Sequence, residues 1–486
     1  MLNRIKVKNF KPFKGFDYSC APLNLLTGLN GSGKSSFVQL LFLLKAVSAK
    51  KNICYTNINV EDVGINCRAD DFKYCYARDD EDIEVVVGYT GRRMSAENRG
   101  ESRAVAAASV IGECGLDEGT FLNAFNQVSF IMRPLKQDAH CLEVMCQKFW
   151  EAFSQSPEVI AYRAFLREHG GRSAVEDIRR RINRRDDNLS DDDYNIFLEQ
   201  EEWLKKIKGL RKNLLTKLNA ELSHQREVLS EALRHFEMVS SFRIKPRYVH
   251  DAGKIADGLS PEGDNVVEFL HKNGFRISLA PDNPMRHRST ESKESSFLID
   301  EVNAWLGEIS LGAKIDIELK EVGDVRKYVE RVSYGEGELL QTYKPQNVGF
   351  GVSCILPVLV SLLKAQPGDI IVIENPEAHL HPRGQSEMGR LMACAAAYGV
   401  QLFVETHSDH VINGVRIAVK EGVIRPQDAK IAFFERGKHV VPSENDAGSV
   451  EVYTSERDIL IDRIGSLSEY PTDFMDEWNN QLMELM

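Results

Sequence analysis

The sequence predicts an α/β fold, a mixed sheet flanked by helices and interrupted by an inserted helical arm, and three stretches carry that prediction. Leu23, Leu25 and Leu26 form an apolar strand that runs into a glycine-rich loop and at once into a helix. Residues 368–374 read as an apolar strand ending in a carboxylate, Glu374, and QLFVETHSDH as another, ending at Glu405-Thr406-His407-Ser408. Between the first stretch and these two, from about 142 to 240, the chain becomes long, charged and helix-forming, with apolar residues three and four apart.

Taken in chain order, Ile5, Val7 and Phe10 alternate as in a strand, KPFKGFDYS reads as a turn, and the helix from Lys34 to about Val47 repeats Phe37, Leu40, Leu41, Leu43 and Leu44 at helical spacing. Its end, AKKN, places positive charge where a helix C-terminus favours it. Residues 50–140 are mixed, with a strand at 83–89 and an alanine-rich helical stretch at 103–111. Within the arm, RRRINRR (179–185) is followed by DDNLSDDD, a pairing usual for solvated surface and alternatively a contact with nucleic acid or a partner. Strands are expected again at 242–249, 314–320 and 325–334. The expected division is a head in two parts, 1–140 and 241–440, an arm at 141–240 and a C-terminal appendix at 441–486.

At 486 residues the chain exceeds what a single core usually supports, which agrees with a head and an insertion. Apolar residues at 43% and charged residues at 27% are those of an ordinary folded protein. A net charge of −11 argues against bulk coating of nucleic acid, while a local basic patch remains compatible with touching phosphates. The start MLNRIKVKNF has no apolar signal-peptide core, and no run approaches the ~18 apolar residues of a membrane span, so a cytoplasmic protein without membrane contact is expected. The 9 cysteines include no Cys-x-x-Cys pair, so reduced structural thiols are expected.

The glycine-rich loop fits G-x-x-x-x-G-K-[ST] and sits between strand and helix, the context the motif requires. Gly28, Gly31 and Gly33 allow backbone conformations that aim N–H groups at phosphate oxygens. Asn30, Ser32 and Ser36 complete the loop; Lys34 supplies a charge for the β- and γ-phosphates, and Ser35 is a ligand for Mg²⁺, so ATP with Mg²⁺ is the expected cofactor pair. The strand ending at Glu374 would deliver a second metal-side group, and the one ending at 405 brings His407 within reach of the γ-phosphate. Upstream, Val348, Gly349, Phe350, Gly351, Val352 and Ser353 open an apolar helix whose first amides suit an anion. His379 and His381 lie two apart without further converging ligands, which favours structural or interface roles over metal binding.

In that order, the loop, VGFGVS, IVIENPEAHLHP and ETHSDHVI resemble the AAA-type, OLD-like branch of the ABC ATPases, P-loop enzymes whose more distant relatives are the RecF and SMC heads. The ending LSEYPTDFMDEWNNQLMEL, with Asn303-Ala-Trp305-Leu and GDNVVEFL, is similar to bacterial ATPases that carry an uncharacterised C-terminal domain. The likeness spans head and tail, not the arm. It implies that 348–353 is a signature segment serving the nucleotide of the opposite subunit, that His407 is a switch histidine, and that the protein works as a homodimer or higher homo-oligomer. Gln127 is a candidate for the glutamine such ATPases carry.

One position departs from that pattern. Asn375 falls where the resemblance expects the glutamate that polarises water, and an amide cannot accept a proton, so slow hydrolysis is expected. Glu377 stands nearby either as a substitute base or as a cap on a helix beginning after Pro376. The resemblance further implies control of a separate effector, nuclease or toxin-like, in anti-phage defence; the alternatives are a RecF- or SMC-like DNA-repair ATPase, a transporter motor, and an ATP-dependent scaffold with little turnover.

Overall fold

The computed structural model describes residues 1–49, 83–89, 127–132, 155–184, 189–243, 245–251, 258–290, 294–322, 325–335, 339–441 and 449–485. The alanine-rich stretch at 103–111, Lys50, Lys51 and Asn52 of the basic run, and Cys54, Cys67, Cys75, Cys114, Cys141 and Cys146 lie outside the described residues. Within them Cys20, Cys354 and Cys394 are free thiols.

The chain opens with β1 (Leu2–Phe10), β2 (Phe13–Ser19) and β3 (Leu23–Gly28), followed by α1 (Lys34–Ala49), β4 (Ile83–Tyr89) and β5 (Gln127–Met132). FKGFDYS is therefore a strand and not the expected turn. Phe13, Phe16 and Tyr18 are buried while the residues between them face solvent, so the polar half of that alternation hides the strand from a periodicity reading. β1 pairs antiparallel with β2 and β4, in a sheet ordered β2-β1-β4-β5.

The arm comprises α2 (Pro157–Glu168), α3 (Arg172–Asn183) and α4 (Asp191–Ala232), a helix of 42 residues, or about 63 Å at ~1.5 Å per residue. Ser190 and Asp193 form a reciprocal cap at its start, each backbone N–H donating to the other's side chain at 3.0 and 3.1 Å. The acidic block thus serves helix initiation, and Arg179 of the basic block pairs with Glu201 at 3.0 Å. The chain then returns through β6 (Phe236–Val239) and β7 (Val249–Asp251). Among the described residues of the strand expected at 242–249 only Val249 is paired in a ladder, because Ser241 and Arg243 bond to the end of a distant strand instead.

There follow α5 (Val266–Asn273), the two-residue strands β8 (Ser278–Leu279) and β9 (Ser296–Phe297), α6 (Leu298–Ile309), β10 (Lys314–Val322), β11 (Val325–Tyr334) and β12 (Gln341–Tyr343). β10, β11, β12 and β7 make a separate antiparallel sheet, which includes the strands predicted at 314–320 and 325–334. The chain closes with α7 (Phe350–Lys364), β13 (Ile370–Glu374), α8 (Pro382–Tyr398), β14 (Gln401–Glu405), α9 (Asp409–Lys420), β15 (Ala429–Val441), β16 (Ser449–Ile459) and α10 (Glu477–Leu485).

A central sheet ordered β16-β15-β3-β14-β13-β6 unites both ends of the chain. All its neighbours run parallel except β15 and β16. Strand alternation divides the apolar side chains between two cores. Leu23, Leu25, Ile371, Ile373, Leu402 and Val404 face α6, α7, α8 and α9. Leu26, Ile370, Val372, Phe403 and Phe434 face α1 and the N-terminal sheet. Both faces are covered, as a mostly parallel sheet requires. The strand β16, which the sequence reading assigned to an appendix, is hydrogen bonded to β15 from Ser449 to Ile459. β6, assigned to the arm, forms the opposite edge. Among the described residues no helix is long and apolar enough to cross a membrane.

Under the N-terminal sheet, Lys430 is nearly buried and bonds Glu456 at 3.0 Å and Asp458 at 2.8 Å, with its ammonium 3.8 Å from the Tyr18 ring centre. Two carboxylates share one cation, and burial, followed by repulsion from Asp458, pushes the Glu456 carboxyl up to about 7. The folded state therefore holds this proton more tightly than an unfolded glutamate near ~4.3, so the contribution is complete below that value and is lost as pH rises through the folded pKa. Wild type is expected to gain ~1–3 kcal/mol from this group between about pH 8 and about pH 5. Melting curves of Glu456→Gln at both pH values should show that increment gone.

Candidate nucleotide-binding site

The loop after β3 is shaped by glycines that no other residue replaces. Gly28 has φ 130° and a Cβ there would lie 2.3 Å from the carbonyl oxygen of Phe434; Gly33 has φ 112° and its Cβ would lie 2.8 Å from Thr454 Oγ1. These close approaches exist because β15 and β16 brace the loop. Arg436 Nε donates to Gly31 O at 2.7 Å and Thr454 Oγ1 donates to Ser32 O at 2.7 Å. Behind the loop, Phe37, Val38, Leu40, Leu41 and Leu44 are fully buried and fix the axis of α1, each worth ~1.5–3 kcal/mol of burial.

Lys34 is the first residue of α1 and only 3% exposed. Its ammonium donates to Gly28 O at 2.7 Å and Leu29 O at 2.9 Å, and burial lowers its pKa against the opposing pull of Glu405. Ser35 Oγ donates to Glu405 Oε1 at 2.8 Å. Glu405 ends β14, the strand between β3 and β13, and stands in register with Glu374 on β13. Burial raises the Glu405 carboxyl, the Ser35 hydrogen bond opposes that rise, and the neighbouring Glu374 adds to it. Sequence reading named Glu405 only as a strand end and paired Ser35 with Glu374. The lateral order of the strands, which puts β14 next to the loop, is not written in the sequence.

Glu374 is engaged elsewhere: its Oε2 accepts from the Ser241 N–H at 2.9 Å. Arg243, absent from the sequence-derived site, donates through Nη2 to Glu374 O at 2.5 Å and Asn375 O at 3.2 Å. Its Nε and Nη1 and the Asn375 Oδ1 are buried without a hydrogen-bond partner. Asn375 has φ 45°, a left-handed conformation that asparagine tolerates better than most residues, and its N–H donates to Glu405 O at 2.8 Å.

Glu377 neither caps a helix nor stands free. The helix after Pro376 begins at Pro382 with His381 as N-cap, so Glu377 lies before it. One Glu377 oxygen accepts from Thr406 Oγ1 at 2.8 Å and the other from the His407 N–H at 2.8 Å, which clamps the turn after β14. Ser408 then caps α9 by accepting from His410 and Val411. His407 is mostly exposed beside the loop; the partial desolvation of its ring lowers its pKa, Lys34 lowers it further and Glu377 opposes both.

Segment 348–353 lies apart from this cluster. Gly349 is the exposed N-cap of α7 and offers no side-chain cap; a Cβ there would meet nothing within 4 Å. Gly351 packs against His379 O, and Phe350 lies 5.6 Å from the His379 ring. The turn after β13 therefore holds the start of α7, and one strand, β14, separates β13 from β3, the strand that leads into the phosphate loop.

The chain matches the AAA ATPase domain family over residues 1–412. It belongs to that family.

A second match, over residues 424–485 of this AAA ATPase, is to a family described as protein of unknown function (DUF3696). It includes β16, whose Thr454 braces the phosphate loop. No curated protein matches the chain. Among solved structures it is similar to the Smc head domain with an extended coiled coil bound to the C-terminal domain of ScpA, derived from Pyrococcus furiosus, at 11% identity over 100% of this chain and 99% of that one, with TM-score 0.36. For the SmcHead bound to the C-winged helix domain of ScpA the values are 11%, 93%, 97% and 0.37.

The residues present fit the nucleotide that the family uses. Ser32 Oγ is buried within the loop without a partner, the first amides of α1 have no carbonyl within their own helix, and Lys34 is the adjacent cation. When bound, Mg²⁺ supplies charge neutralisation at the phosphates, and the Ser35 hydroxyl and a strand-end carboxylate are oxygen donors of the kind it takes. Among the described residues no group of three or more His, Cys, Asp or Glu side chains is placed to hold a metal, and His379 and His381 form no such group.

Proposed function

We propose that this AAA ATPase binds ATP with Mg²⁺ on residues 28–36 and buries it against the start of α7 from a second copy, so that nucleotide controls assembly. The observation that carries the reading is the exposed helix start at Gly349, without a side-chain cap and held on the turn after β13, a strand that β14 separates from the strand of the phosphate loop. Segment 348–353 lies apart from the loop of its own chain, and a two-fold axis that sets the α7 start of one chain against the loop of the other serves both sites at once. Leu29 in the loop and Phe350 on α7 are 56% and 49% exposed, apolar area that such a contact covers.

Turnover in this reading is slow. Asn375 orients water but cannot take its proton, and both oxygens of Glu377 are committed to Thr406 and His407. His407 is the switch residue, held by its own backbone bond to Glu377 and free to turn its ring toward the γ-phosphate. Control of a separate effector in defence is the output implied by the sequence resemblance.

The test is the mass of the protein in solution. Saturating ATP with Mg²⁺ is expected to double it, ADP is not, and Gly349→Asp is expected to remain monomeric with an unchanged or higher melting temperature. The aspartate finds open space and caps α7, yet opposes an incoming phosphate. A Gly349→Asp protein that doubles its mass like wild type contradicts the reading.

A further inference from the structure

We infer that the cavity between α6, α8, the end of α9 and residues 284–289 binds a small organic anion, a carboxylate or a phosphate ester carried on an apolar body. Its volume of about 830 Å³ falls within the ~300–1,000 Å³ of small-molecule sites. It is separate from the phosphate loop. β13 and β14 are parallel, so α8 runs back from the strand ends that carry Glu374 and Glu405, and Arg390 and Cys394 line the cavity ~12–18 Å along that helix from Pro382. One wall is an irregular loop that buried groups hold in place. Glu301, fully buried in α6, accepts from the His287 N–H at 2.7 Å and from Thr290 Oγ1 at 2.5 Å, and lies 3.6 Å from Arg286 Nε. Arg286 in turn donates to Thr290 O, and Trp305 Nε1 donates to Met285 O at 2.8 Å. A buried ion pair contributes little net stability, and here it fixes the side chains that the loop presents to the cavity.

Those side chains are donors. The Ser289 N–H donates to His287 Nδ1 at 3.2 Å, which makes Nδ1 an acceptor and leaves the ring proton on Nε2. Beside it Arg288 pairs with no carboxylate among the described residues. The acids of the cavity have partners elsewhere: Glu308 accepts from Arg383 Nη2 at 2.6 Å, while Glu421, at 2.5 Å, and Glu387, at 3.7 Å, share Arg390. Surplus positive charge therefore sits on the loop wall alone, at Arg288, whose guanidinium fork fits two oxygens of a carboxylate or phosphate. Much of the remaining lining is apolar. Trp305, Ala418 and Val423 contribute to it, and the Cys394 thiol stays protonated at neutral pH because burial pushes it up to about 11 against the pull of Arg390 and Arg288. An inorganic ion would leave that lining uncovered, whereas the carbon body of an organic anion covers it.

The experiment is saturation-transfer NMR on the full chain with two probes, phenyl phosphate and benzoate, each titrated to give a dissociation constant. Wild type is expected to bind at least one of them. Preference for benzoate identifies a carboxylate ligand, and preference for phenyl phosphate a phosphate ester. Arg288→Glu, at an exposed position that leaves the buried supports of the loop untouched, is expected to weaken binding about tenfold or more. Arg288→Lys, which keeps the charge without the fork, should recover part of it. Val423→Trp, which fills the apolar lining, should abolish binding of both probes, and Lys34→Ala should leave it within about twofold. Binding of neither probe by wild type overturns the inference, as does equal binding by wild type and Arg288→Glu proteins of the same melting temperature. Loss of binding in Lys34→Ala, with retention in Arg288→Glu, assigns the probe to the phosphate loop and also overturns it.

Discussion

Lys34→Ala is expected to remove ATP hydrolysis and to weaken ATP binding about thirty- to a hundredfold. The ammonium is the cation at the first turn of α1, buried where solvent screens it little, and charge-assisted hydrogen bonds to phosphate are worth ~1.5–3 kcal/mol each. Transition-state charge on the transferring phosphoryl group loses the same donor, which brings the expected fall in turnover to ~10²–10³. Folding is affected far less. The alanine leaves the carbonyls of Gly28 and Leu29 without their donor, at a cost of ~1 kcal/mol, and removes the desolvation of a buried charge that lowers the Lys34 pKa. Fluorescent nucleotide titration and a phosphate-release assay, run beside a melting curve, check all three statements.

Asn375→Glu is expected to raise turnover by ~10–10², toward the lower part of the ~10²–10⁴ that a positioned general base contributes. The position is prepared for a polar side chain, because Asn375 Oδ1 is buried without a partner and the backbone N–H is pinned to Glu405 O. It is less prepared for glutamate. The φ of 45° costs about 1 kcal/mol more for glutamate than for asparagine, and Glu405 and Glu374 add repulsion, so a lower melting temperature accompanies the gain. Single-turnover hydrolysis separates a faster chemical step from faster release of product. An unchanged chemical step means that the missing carboxylate is not what limits the reaction.

The parts of this site that the sequence made legible are those whose chemistry is local. The spacing of Gly28, Gly31, Gly33, Lys34 and Ser35, with Leu23 to Leu26 before and Phe37 to Leu44 after, marks a strand, a loop and a helix through residues that are neighbours in sequence. β13 and β14 were readable for the same reason, as apolar runs bounded by turns. What escaped depends on lateral order. That β14 lies between β3 and β13 makes Glu405, and not Glu374, the neighbour of Ser35, and no periodicity encodes it. Arg243 escaped because its stretch alternates like a strand while its guanidinium is drawn across to Glu374 and Asn375, more than 100 residues away. β2 escapes because Gly15 and its polar neighbours mark a turn, yet Phe13, Phe16 and Tyr18 are buried, with Phe16 against Phe37 of α1 and against Phe434. The strand β16 follows residues 442–448, and its pairing with β15 turns an expected appendix into the brace of the phosphate loop.

The claim that one chain's nucleotide is completed by another chain's helix start has a direct measurement: ATPase activity of an equimolar mixture of Lys34→Ala and Gly349→Asp proteins. Each variant alone lacks one half of every composite site. A mixed pair joins the intact loop of the Gly349→Asp chain to the intact α7 start of the Lys34→Ala chain, so the mixture is expected to recover activity, about a quarter of wild type for random pairing. A mixture no more active than its two components measured separately would contradict the account.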